Sequence, residues 1–208
     1  TRWQRLRLTD VGVMVGRATI KRFIVGCIIG LSMAVIQVSI VCSFGHLRLK
    51  YVIGITAPEV LLSFVLYLFV ACREELVFRA YLLRGLSYAY SSTVAMLIMI
   101  ALFVVEHIMA GMSWRMAVIG SGLGGVLFGL AALKTKGLAL PLGLHSAWNF
   151  GQWMSGFKNN EGVWKAVVDK GYEKQTENIG LGAFILVMAF AITGVILFCK
   201  RHSQRRTP

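Results

Sequence analysis

Apolar runs about as long as a bilayer is thick recur along this chain, and they narrow its possible folds more than any other feature. A run of about 18 or more apolar residues reaches across a hydrocarbon core of about 30 Å. The chain has 208 residues, of which 57% are hydrophobic and only 15% charged. That balance excludes a soluble protein built around a few buried helices. It predicts an all-α fold, a multi-pass transmembrane bundle of about six spans, at residues 23–44, 58–86, 91–111, 116–133, 137–155 and 181–199. A basic segment, 1–22, precedes this membrane domain (23–199), and a basic tail, 200–208, follows it.

The net charge of +13 raises nucleic acid as a partner, but the cations are not patterned for it. They flank spans: Arg2, Arg5, Arg7, Arg17, Lys21 and Arg22 before the first, Lys134 and Lys136 after the fourth, Lys200, Arg201, Arg205 and Arg206 after the last. A bilayer with anionic lipids and the positive-inside bias account for that placement. The expectation is therefore an integral protein of the cell (plasma) membrane with both termini cytoplasmic, and no nucleic-acid partner. Residues 156–180 form the only long polar connection. Cys27, Cys42, Cys72 and Cys199 lie in apolar runs without metal-ligand spacing or a disulfide framework, and read as small hydrophobes. Gly120, Gly122, Gly124, Gly125 and Gly129 lack the Lys-Ser/Thr of a phosphate-binding loop, and their spacing instead permits close helix contact.

Against this apolar background the polar residues stand out. Glu74 and Glu75 are adjacent inside the second span, and Arg79 follows four residues later. Such charges are costly in hydrocarbon and need a partner or a function. Glu75 and Arg79 have the spacing of an ion pair on a helix, which leaves Glu74 the freer carboxylate. Glu106-His107 ends the third span, with Glu106 read as off the site-facing side and merely interfacial. His145 and Asn149 are four apart in the fifth span and share a face. Pro141, one turn before His145, is expected to bend that helix. Counting about 1.5 Å per residue from the turn near Tyr90, Glu74 and His107 reach similar depths, about 24–26 Å away. His145 and Asn149 fall about 14–20 Å from the same face, so three helices bring these groups to one layer.

Glu74-Glu75 with Arg79, Phe103 with His107, and His145 with Asn149 occur in an order and spacing that resemble the CPBP (CAAX protease and bacteriocin-processing, or Abi) intramembrane endopeptidases. The resemblance covers about residues 58–155. It implies hydrolysis of a peptide bond in a membrane-associated peptide or protein, with Glu74 and His107 activating a water and His145 and Asn149 stabilising the oxyanion. Glu75 and Arg79 hold these groups in place, or Arg79 faces a substrate carboxylate. No cofactor is favoured, although a divalent metal such as zinc is open. Its ligands would be His107, His145 and Glu74, with Glu75 as the base, but no two histidines on one helix have the spacing of a zinc-protease motif. Two other readings stand beside the protease. One is a non-catalytic scaffold or bacteriocin-immunity-type protein that keeps the fold. The other is a proton-coupled transporter, disfavoured because no internal repeat is present.

Overall fold

The computed structural model describes residues 9, 12, 16–158 and 161–204, with side chains through residue 197. Most of the basic approach at residues 1–15 and the end of the tail, 205–208, lie outside the described residues, as do the side chains of 198–204, Cys199 among them. The described residues form six helical rods. The first is α1 (Arg17–Phe44). The second joins α2 (Ala57–Glu74), a π-helical stretch (Glu75–Leu83) and α3 (Arg84–Ala89). The third is α4 (Ser92–Met109). The fourth joins α5 (Trp114–Met116), a second π-helical stretch (Ala117–Ser121) and α6 (Gly122–Thr135). Helices α7 (Ala139–Met154) and α8 (Glu173–Gln204) complete the bundle.

Four of the rods, Arg17–Phe44, Ser92–Met109, Trp114–Thr135 and Glu173–Leu197, are long and apolar enough to cross a membrane. The two that fall short do so for identifiable reasons. The second rod interrupts its apolar run with Arg73, Glu74, Glu75 and Arg79, and α7 has only 16 residues. These two carry Arg73, Glu74, Glu75, Arg79, His145 and Asn149, and they pack on one another, with α1 also against α7. Hydrocarbon explains the outward faces. Ile24, Leu62, Phe69, Leu97 and Phe190 are all more than half exposed, a density of apolar surface that a water-facing monomer rarely carries.

Local sequence sets the helix ends. Thr56 precedes α2, and its backbone N–H and hydroxyl both donate to Glu59 Oε2, at 2.7 and 2.8 Å. This is the reciprocal arrangement in which a carboxylate covers an otherwise unpaired N-terminal donor. Pro141 does not bend its helix. It lies in the first turn of α7, after the N-cap Leu138, where its missing N–H would have had no helical partner in any case. The helix therefore runs unbroken through His145 and Asn149.

Glycines bring α1 and α7 unusually close. A side chain at Gly26 would lie 2.5 Å from the Leu140 carbonyl, and one at Gly143 would collide with the Phe23 carbonyl. On α6, Gly125 and Gly129 admit Ile100, Phe103 and Met96 of α4, the small-residue contact expected of that run. The main core lies between α1, α6, α7 and α8 and includes Met33, Leu127, Phe128, Leu144, Trp148, Phe184 and Met188. A second cluster, Phe78, Leu83, Ala95, Met99 and Phe103, joins α4 to the second rod.

The connection at 156–180 is more ordered than a polar loop. It contains β2 (Trp164–Val168), which pairs antiparallel with β1 (Leu47–Tyr51), Leu47 opposite Val168 and Tyr51 opposite Trp164. Helix α8 begins within it, at Glu173. The ribbon ties the exit of α1 to the exit of α7 and marks one end of the bundle.

Candidate active site

Helix α2 changes its hydrogen bonding at the glutamate pair. Glu74 is the last α-helical residue, and the next nine follow the wider i→i+5 pattern. Such stretches are rare and concentrate at functional sites. The pair lies where α7 crosses the second rod, and His145 of α7 meets both carboxylates. Its Nδ1 is 2.9 Å from Glu75 Oε1, and its Nε2 is 3.6 Å from Glu74 Oε2. A carboxylate oxygen can only accept, so Nδ1 carries the proton of the shorter contact. The imidazole is held flat by Phe128, stacked at 4.5 Å between ring centroids and 14° between planes.

Behind Glu75 lies Arg79. Its Nη1 is 3.3 Å from Glu75 Oε1, and the side chain is 0% exposed. The predicted ion pair is present, but the guanidinium sits in an aromatic cage, 4.3 Å from the Phe103 ring centroid and 5.5 Å from that of Phe128. Cation–π attraction is strongest for such a desolvated cation. Because it is fully enclosed, Arg79 braces Glu75 and does not face a substrate carboxylate.

In front of Glu74 the arrangement differs from expectation. Arg73 Nη2 lies 3.1 Å from Glu74 Oε1 and 3.0 Å from Glu106 Oε1, bridging α2 to α4. Glu106 is not merely interfacial: its other oxygen is 2.9 Å from His107 Nδ1. That same nitrogen is 2.8 Å from the Phe103 carbonyl. With two acceptors beside it, Nδ1 is the protonated nitrogen, and Nε2 of His107 has no partner among the described residues. Asn149, one turn beyond His145, is half-buried and makes no hydrogen bond to the described residues. Glu74 Oε2 is buried and likewise accepts none.

Arg73 and Glu106 are the two participants that the motif reading passed over. Their signal was present: each is the immediate neighbour of a residue singled out, and the two carry opposite charge. Three carboxylates (Glu74, Glu75, Glu106) meet two guanidinium groups (Arg73, Arg79).

A divalent ion at this cluster would have to compete with groups already in place. Ligand atoms of Glu74, Glu106 and His107 lie within 4.8 Å of one another. That group lacks His145, which the sequence reading had placed in the ligand set with Glu74 and His107. The 4.8 Å bound is close to the span of about 4.4 Å that two zinc bonds of about 2.0–2.2 Å can cover. Arg73 already supplies a cation to both carboxylates and would have to leave. His107 donates Nδ1–H to protein acceptors and leaves Nε2 without a partner among the described residues, the orientation in which a histidine can ligate a metal.

Residues 55–151, a little under half of the chain, match the family model described as type II CAAX prenyl endopeptidase Rce1-like, a model of the CPBP (CAAX protease) family. The matched segment runs from the cap of α2 to just past Asn149 and holds all seven polar residues of the cluster together with Asn149. No curated protein and no solved structure matches the chain. The matched family model and the four long apolar helices make this an integral membrane protein.

Proposed function

We propose that the protein hydrolyses a peptide bond of a membrane-associated peptide or protein by a glutamate-activated water, without a metal. The observation that carries this reading is the buried Glu74 carboxylate. One of its oxygens accepts no hydrogen bond, and the carboxylate lies within 4.8 Å of a His107 nitrogen. Hydrogen bonds of about 2.8 Å let a single water touch two groups at that separation.

Glu74 takes a proton from the water while His107 holds it, and the hydroxide oxygen bonds to the scissile carbonyl carbon. The C=O π electrons move to the carbonyl oxygen as negative charge develops there. Asn149 and His145 donate to that oxyanion, and each such donor contributes about 2.7–4 kcal/mol in a water-poor site. For His145 to donate there, Nε2 must carry a proton while Nδ1–H stays on Glu75. Collapse breaks the C–N bond, and Glu74 returns its proton to the leaving amine. Arg79 fixes Glu75, Glu75 fixes His145, and Arg73 holds Glu74 against Glu106.

The substrate approaches from the bilayer or from the end of the bundle that bears the β-ribbon. That end is extracytoplasmic if both termini lie in the cytoplasm, with the plasma membrane as the site of action. The test is cleavage of a quenched-peptide library by detergent-purified protein, with Glu74→Ala and His107→Ala alongside. Cleavage by the wild type alone supports the assignment. Equal cleavage by all three removes it.

A further inference from the structure

A second concave feature lies away from the carboxylates. It is a groove of about 1400 Å³ beside α1 and α8, floored by α6 and α7. Small-molecule pockets are commonly about 300–1,000 Å³, so this one is sized for a larger ligand. Most of its length is apolar, with Val25, Ile28, Leu140, Leu186, Val187 and Phe190 among the lining residues. One end is different. Lys21 and Arg22 of α1 meet Lys134 and Lys136 at the turn between α6 and α7, and all four line the groove. Arg22 is fixed there by its hydrogen bond to the Thr135 carbonyl, 3.0 Å. Among the described residues none of these four cations has an acidic partner. This end lies away from the β-ribbon, where α1 begins and α6 ends.

We propose that the groove is a binding site for one anionic phospholipid of the surrounding bilayer, acyl chains along α1 and α8 and phosphate against Lys21, Arg22, Lys134 and Lys136. Charge complementarity selects the occupant. An apolar groove alone would take any acyl chain, but four converging cations with no carboxylate partner among the described residues add an attraction that an anionic headgroup answers. Basic pockets between transmembrane helices are recognised headgroup sites, and each Lys or Arg near such a surface strengthens binding about fivefold. The site shares Leu144 of its lining with the helix turn that carries His145, yet touches none of the residues assigned to hydrolysis. The inference does not depend on the proposed chemistry.

Native mass spectrometry of the full chain, released from mixed micelles of phosphatidylglycerol and phosphatidylcholine, tests it. The comparison is with the double variant Lys134→Gln/Lys136→Asn; asparagine is chosen because residue 136 is in the left-handed conformation, which it tolerates. The expected result is one retained phosphatidylglycerol per wild-type chain, bound about twentyfold more weakly by the variant. Gly194 lines the groove and has open space beside it, so Gly194→Phe provides a second variant that fills the apolar part with the cations intact. It too should lose the retained lipid. Equal retention of both lipids, an unchanged preference in both variants, or a second copy of the chain in place of lipid would overturn the proposal.

Discussion

Nε2 of His145 lies 3.6 Å from Oε2 of Glu74, joining helices α7 and α2 at the centre of the site. The separation is too long for a hydrogen bond and short enough for the two groups to share a reacting atom. Replacing His145 by Gln should therefore lower kcat by about 10²–10³, the loss typical of a missing oxyanion donor. It should leave KM nearly unchanged. Steady-state kinetics on the first peptide substrate found would check this. A change confined to KM would move His145 from oxyanion stabilisation to substrate binding.

Asn149 predicts a similar pattern without a structural penalty, because its amide has no hydrogen-bond partner among the described residues. Asn149→Ala should cost about 10²–10³ in kcat while the thermal midpoint in detergent stays within about 1 °C of wild type, since no buried partner is left unpaired. Full activity in this variant would remove Asn149 from the mechanism.

The Glu75–Arg79 pair predicts strong coupling. Both side chains are essentially fully buried. Arg79→Met alone leaves a carboxylate in an aromatic environment and should destabilise by about 3–5 kcal/mol. The double variant Glu75→Gln/Arg79→Met should recover most of that loss. Thermal unfolding of the two single variants and the double completes the cycle, and additive effects would contradict the pairing.

Arg73 occupies the place where a metal would otherwise bridge Glu74, Glu106 and His107. In Arg73→Ala these groups are free to close on a divalent ion. The variant should be inhibited by micromolar zinc, at concentrations that leave the wild type active, and chelator should reverse the inhibition. Identical zinc responses in the two proteins would show that Arg73 does not guard the cluster.

Lys158 follows the last turn of α7, its Nζ 4.8 Å from the Tyr67 ring centroid. Burial pushes its ammonium below the ordinary lysine range, partly opposed by the field of Glu74. A lysine whose folded-state pKa is depressed weakens the fold at pH values below that pKa, and the effect vanishes above the unfolded pKa of about 10.4. Lys158→Met should thus raise the thermal midpoint at pH 7, with the gain shrinking as the pH approaches about 10.4. A gain that does not change with pH would point to packing instead.

Much of this site was legible before the fold was known, for a physical reason. In an apolar chain the few charged residues must find one another, so spacing along helices was enough to group Glu74, Glu75, Arg79 and His145. What escaped notice depended on geometry that helical counting does not carry. Glu106 is adjacent to His107 and should point elsewhere on an ideal helix, yet at the end of α4 both reach the cluster, Glu106 through Arg73. The π-helical stretch after Glu74 left no mark in the periodicity. Pro141 was taken for a bend because the start of α7 lay two residues further along than the apolar pattern suggested. The β-ribbon was hidden because Leu47–Tyr51 and Trp164–Val168 are short and far apart in sequence, and neither alone reads as a strand.

The most direct test of the account is peptide hydrolysis by purified protein after exhaustive chelation, with bound zinc quantified in the same sample. A water activated by Glu74 and His107 predicts unchanged kcat with substoichiometric zinc, and loss of hydrolysis in Glu74→Gln with the helical fold intact. Activity that disappears on chelation and returns in proportion to added zinc would contradict it.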